Sequence, residues 1–153
     1  MNGTAGNAQF SAPSGITFDA AGNLYVADLA NNAIRKINPA NVVSTLAGAG
    51  PSKAGYLDAQ GSAAMFGSPY GIAVDGAGNV YVADFGTHHI REISPSGLVT
   101  TVAGTGGAEH IDGAGTVANI GYPSGLSIQS DGTLIVCSDI GTSFRAISRS
   151  FSK

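Results

Sequence analysis

Tryptophan is absent from this chain, cysteine occurs once, and charged residues make up only 11% of its 153 positions. The lone Cys137 cannot form an intrachain disulfide, so no covalent framework is expected to hold the fold. It lies in the apolar run Leu134 to Cys137 and reads as a small buried hydrophobe. The seven basic residues are scattered and the net charge is −3. That excludes the clustered basic footprint that phosphate backbones require, and nucleic acid is not expected as a partner. No run of about 18 apolar residues and no signal-peptide core are present, so a soluble chain of undetermined compartment is expected. Neither a G-x-S-x-G nucleophile turn nor a phosphate-cradling G-x-x-x-x-G-K loop occurs.

Glycine is plentiful, at 23 residues, and β-branched residues cluster with tyrosine in short runs. This is the profile of many short strands joined by tight turns. The length suits one domain, and the expectation is an all-β fold.

The stretch Pro69 to Ile93, PYGIAVDGAGNVYVADFGTHHIREI, nearly restates Pro13 to Ile37, and a worn third copy runs from Pro123 to Ile147. The spacing is 56 residues from Pro13 to Pro69 and 54 from Pro69 to Pro123. A fixed period of this length marks solenoids, propellers and arrays. Within each copy a proline marks the start of a short apolar strand (from Gly15, Gly71 and Gly125), and a glycine turn at Asp19 to Asn23, Asp75 to Asn79 or Ser130 to Thr133 leads into a second. The second strands, Leu24 to Ala27, Val80 to Ala83 and Leu134 to Cys137, are continuously apolar, which predicts burial on both faces. Third strands are expected at Ala33 to Ile37, His89 to Ile93 and Phe144 to Ile147, and fourth strands at Val42 to Ala47 and Leu98 to Ala103. The third copy shows no fourth strand, and the ten residues at the amino end show no spare strand to supply it.

Four consecutive antiparallel strands, buried on both faces, describe a propeller blade. The two clear copies, each followed by a strand ending in Leu46-Ala47-Gly48 or Val102-Ala103-Gly104, resemble NHL repeats. The resemblance covers almost the whole chain. The third copy departs from it, with Ser138 where Asp28 and Asp84 stand and Ile135 in place of Tyr25 and Tyr81. The resemblance implies a β-propeller, most often six-bladed, that binds proteins, RNA or small ligands on its faces. Blades are expected at about 2–57, 58–111 and, in part, 112–153. Three blades are half of a six-bladed ring, since closed propellers use roughly four to eight. A homodimer completing the ring is expected, or else the remainder of a longer propeller.

Asp28 with Arg35, and Asp84 with Arg91, stand seven residues apart across a predicted hairpin, a spacing that suits structural ion pairs. Arg145 keeps the arginine in the third copy, where Asp139 stands next to the aspartate position. Asp19 and Asp75 read as turn formers. His88 and His89, taken as neighbours on a strand, point to opposite faces, which argues against a shared metal. The run Glu109 to Asp112 lacks the spacing of a calcium loop or zinc site. No cofactor and no metal are expected. The expected role is a non-catalytic binding or scaffold module for a protein or small polar ligand. Its contacts would fall on the face of the inter-blade loops and the loops between second and third strands, at Asn31, Asn32, Asp58, His88, His89, His110, Asp112 and Asp139. A metal-dependent lyase or hydrolase of the propeller type is the alternative, and a purely structural half-propeller the second alternative.

Overall fold

The structure, a computed structural model, describes residues 1–4, 6–113, 115–138 and 144–147. Three antiparallel sheets follow one another along the chain. The first contains β1 (Gly3–Thr4), β2 (Pro13–Phe18), β3 (Leu24–Asp28), β4 (Ala33–Ile37) and β5 (Val42–Ala47), in spatial order β1-β5-β4-β3-β2. The second runs β6 (Pro69–Val74), β7 (Val80–Asp84), β8 (His89–Ile93), β9 (Val99–Ala103) in sequence order. In the third, β10 (Pro123–Ile128), β11 (Leu134–Ser138) and β12 (Phe144–Ile147) are described. No α-helix occurs among the described residues; three single 3-10 turns sit in the loops. The sheets are propeller blades.

β1 corrects the expectation that the amino end carries no strand. Thr4 pairs with Val42 and Gly3 with Val43, on the outer edge of the first sheet. The second copy repeats this contact as a single bridge, Gln60 with Leu98. Two residues of extended chain lie below the length at which a pattern of alternation can be read.

The first strand of each copy lies inside, next to the first strand of its neighbour: β2 beside β6 and β6 beside β10. Each begins on its proline, and the ladder to the next strand is irregular over the following residues. Proline has no N–H to give to a ladder, so it is confined to the first position. Glycine follows two residues later because the neighbouring sheet comes too close for a side chain. A Cβ on Gly15 would stand 2.4 Å from the Tyr70 carbonyl oxygen, and one on Gly71 2.4 Å from that of Ser124.

The continuously apolar second strands fill the spaces between sheets. Tyr25, Ala27 and Ile34 of the first sheet pack with Phe66, Ile72, Val80 and Val82. Tyr81, Ala83 and Ile90 of the second pack with Ile120, Leu134 and Val136. Each large apolar side chain buried this way contributes roughly 1.5–3 kcal/mol relative to exposure. Position in the array decides the fate of equivalent residues: Ile72 is 6% exposed against the first sheet, whereas its counterpart Ile16 is 64% exposed, with Phe18 at 63% beside it.

Candidate functional site

Each sheet is locked by its arginine. In the second, Arg91 is fully buried and is ion-paired to Asp84 at 3.4 Å and to Asp58 at 2.6 Å. It donates as well to the carbonyls of Leu57 and Met65, and its guanidinium lies over the rings of Phe66 and Tyr56. In the first sheet Arg35 meets Asp28 at 3.0 Å, donates to the carbonyls of Met1 and Gln9, and reaches the Asn2 amide oxygen. Arg145 pairs with Asp112 at 2.9 Å. The guanidinium fork thereby sews the loop that opens each copy onto its third strand. Asp58 and Asp112, read from the sequence as ligand contacts, are partners of these arginines.

The aspartate at the end of the second strand also holds the chain entering the sheet. Asp28 accepts the Ser11 N–H and Asp84 the Gly67 N–H. Asn31 donates to Asp28 and the Thr87 hydroxyl to Asp84. Burial pushes the Asp84 carboxyl up to about 6, against the pull of Thr87, Arg91 and the Gly67 N–H. In the third copy the polarity reverses, and the Ser138 hydroxyl donates to the Gly121 carbonyl.

Asn32 and His88 join one sheet to the next. Both are left-handed, at φ +46° and +61°. The Asn32 amide oxygen accepts the Ser68 N–H, and His88 Nδ1 accepts the Tyr122 N–H at 3.1 Å. Since Nδ1 is an acceptor, the neutral ring carries its proton on Nε2. His88 precedes β8, so alternation along a strand does not apply to the pair; only His89 is in a strand. His89 is buried and stacks on Tyr56 at 4.1 Å, with Nδ1 unpaired. Burial holds both histidines below the usual range, and the Arg91 charge adds to the effect at His89. His110 sits 3.5 Å from the Ser138 hydroxyl. Asp139 lies outside the described residues. Among the described residues, no group of three or more His, Cys, Asp or Glu is placed to hold a metal.

The same end of the sheets carries a feature that sequence reasoning passed over. Tyr70, Phe85 and Tyr122 form a row, with ring centroids 5.9 Å and 5.2 Å apart, and His88 meets Tyr122 edge-on at 4.4 Å. Tyr70 is 43% exposed. The available signal was difference between copies. Position 70 is serine in the other two (Ser14, Ser124), Phe85 answers to Leu29, Tyr122 to Ala12 and Ser68, and His88 to Asn32.

At the opposite end, an open cleft of about 540 Å³ separates the turns at Asp75 to Asn79 and Gln129 to Gly132. Asp75 is occupied by its own turn. It accepts from the Ala77 and Asn79 N–H groups, the Asn79 amide and the Tyr81 hydroxyl. Burial works to raise its pKa, but these bonds outweigh it and leave the carboxyl below the usual range. No helix among the described residues is long and apolar enough to cross a membrane.

Residues 66–93 match the NHL repeat family. The chain is 32% identical over 137 residues to SUPPRESSOR OF QUENCHING 1, a chloroplastic protein of Arabidopsis thaliana, covering 86% of this chain and 13% of that protein. It is 31% identical over 144 residues to NHL repeat-containing protein 2 of Bos taurus, covering 86% of this chain and 20% of that one. Among solved structures, it superposes on a protein of unknown function from Bacteroides thetaiotaomicron with a TM-score of 0.79 and 27% identity, over 88% of this chain and 34% of the other. It thus spans a fifth or less of these curated relatives and about a third of that structure. With matching repeat and matching sheets, the chain is an NHL-repeat protein of the β-propeller fold.

Proposed function

We propose that this chain is a non-catalytic binding module that presents the end of its blades carrying Tyr70, Phe85, His88 and Tyr122 to a protein or small polar ligand. The observation that carries the reading is the aromatic row, in which Tyr70 is exposed and Phe85 and Tyr122 are half-buried. Clustered exposed rings are the side chains that dominate binding surfaces. The polar residues of the same end support it indirectly: Asp58, Asp84, Asp112 and Asn32 are engaged within or between sheets, which leaves the rings as the free chemistry. The test is a thermal-shift screen of peptides and small polar molecules against the wild type and a variant carrying Y70S, F85L, H88N and Y122S. Hits confined to the wild type support the reading; hits shared equally by both contradict it. Stoichiometric transition metal in the purified protein would favour the lyase or hydrolase alternative instead.

A second proposal rests on Ile16 and Phe18. Their exposure on β2, where Ile72 is buried on β6, supports a further blade packed against this face. That blade comes from a second copy of the chain or from the remainder of a longer propeller.

A further inference from the structure

The aromatic row stands at the junction of the second and third sheets, where four positions depart from the repeat together. Residues that every blade needs recur between copies: the arginine, its loop partner, and the glycine that admits the neighbouring sheet. Tyr70, Phe85 and Tyr122 do not recur, and His88 shares with Asn32 only the acceptor for the next sheet's N–H, so the blade does not require the rings.

Ring geometry limits what the row can hold. Centroid distances of 4.4 to 5.9 Å leave no gap between rings for an inserted group. A cation cage, in which rings surround an ammonium, is therefore excluded. The interplanar angles of 38° and 54° make a ridged surface rather than a flat one, which is poorly suited to stacking a planar base or a sugar face. The polar equipment is neutral. Among the described residues the phenol oxygens of Tyr70 and Tyr122 have no hydrogen-bond partner, and His88 offers its Nε2–H once Nδ1 has accepted from Tyr122. Hydroxyl and imidazole donors beside aromatic ridges, neutral among the described residues, fit a ligand rich in carbonyl acceptors and poor in donors. A polyproline II helix has that character: its carbonyls are unpaired, proline supplies no N–H, and its conformation is already ordered before binding.

We propose that Tyr70, Phe85 and Tyr122, with His88, form a docking ridge for a proline-rich peptide in the polyproline II conformation. This rests on the binding-module reading and names the partner's chemistry.

Because the chain has no tryptophan, its intrinsic fluorescence comes from its five tyrosines, and decaproline adds none. The experiment titrates decaproline into the full chain, following tyrosine emission and backbone amide shifts, with cellohexaose and an arginine-rich peptide as parallel probes. Saturable shifts at the Tyr122, Phe85 and His88 amides are expected. Tyr70→Ser and Phe85→Leu, which install the residues of the other copies, are each expected to weaken binding about tenfold. His88→Asn keeps the acceptor for Tyr122 and removes the Nε2 donor, and is expected to weaken binding less. No saturable shift with decaproline, or equal affinity in Tyr70→Ser, overturns the inference. Shifts of the same amides by cellohexaose or the arginine-rich peptide alone overturn the proline-rich partner while leaving the binding module standing.

Discussion

Arg91 holds Asp58 at 2.6 Å, closer than it holds Asp84 at 3.4 Å, although the Asp84 side chain is fully buried and that of Asp58 is 39% exposed. The exposed partner ties down the loop and the buried one orders the strand end, so their removal has different costs. Asp84→Ala strips the acceptor from the Gly67 N–H, Thr87 and Arg91 together, and is expected to cost about 3–5 kcal/mol in urea unfolding. Asp58→Ala, discounted for solvent screening, is expected to cost about 1 kcal/mol or less. Arg91→Lys keeps the charge but not the fork, and should fall close to Asp84→Ala. Equal losses for Asp58→Ala and Asp84→Ala would contradict the ranking.

The close approach of neighbouring inner strands predicts a contrast between two glycines at one repeat position. Gly71→Ala places a Cβ against the Ser124 carbonyl at 2.4 Å and must push the second and third sheets apart. Among the described residues, Gly125→Ala meets the Cys137 side chain alone, at 3.3 Å. The first is expected to cost about 2 kcal/mol or more, and the second about 1 kcal/mol or less. Denaturant midpoints of the two variants decide it.

The histidines and Asp84 set opposing pH dependences. Burial lowers the folded pKa of His88 and His89 below 6.5, so the unfolded chain takes up protons first on acidification. Their contribution is complete above pH 6.5 and is lost as pH falls toward the folded values. Asp84, raised from 3.8 to about 6, contributes fully below 3.8 and loses its contribution as pH rises through 6. The variant carrying His88→Asn and His89→Phe is expected to lose less stability than wild type between pH 7 and pH 5. In that variant only the Asp84 slope remains of the three, favouring acid. Parallel urea midpoints for both proteins across this range would contradict the assignment.

Self-association through the β2 face makes a prediction of mass. If a second copy covers Ile16 and Phe18, light scattering across a dilution series gives about twice the 15.2 kDa chain mass, and Ile16→Glu with Phe18→Glu returns it to the monomer. A wild-type monomer at every concentration rules out the second copy and leaves the remainder of a longer propeller as the covering blade.

Much of the fold was legible because the repeat states each strand more than once. Continuous apolarity at Val80 to Ala83 pointed to burial on both faces, and those residues are fully buried. β1 was not legible, since two residues show no period. The candidate site was harder to read. Asp58, Asn32 and His88 carry polar side chains on loops, and nothing in their local sequence reveals that each meets a group more than 30 residues away. The aromatic row escaped for a different reason. Searching for sameness between copies finds what the blade needs, whereas Tyr70, Phe85 and Tyr122 are informative because they differ.

That division between residues shared by the copies and residues peculiar to one junction is most directly tested by unfolding. The variant carrying Y70S, F85L, H88N and Y122S is compared with Asp84→Ala by urea denaturation under one condition. A loss below about 2 kcal/mol for the fourfold variant, well short of Asp84→Ala, is the predicted result. A loss as large as that of Asp84→Ala would mean that the rings are core holding the second and third sheets together, and would contradict their assignment to binding.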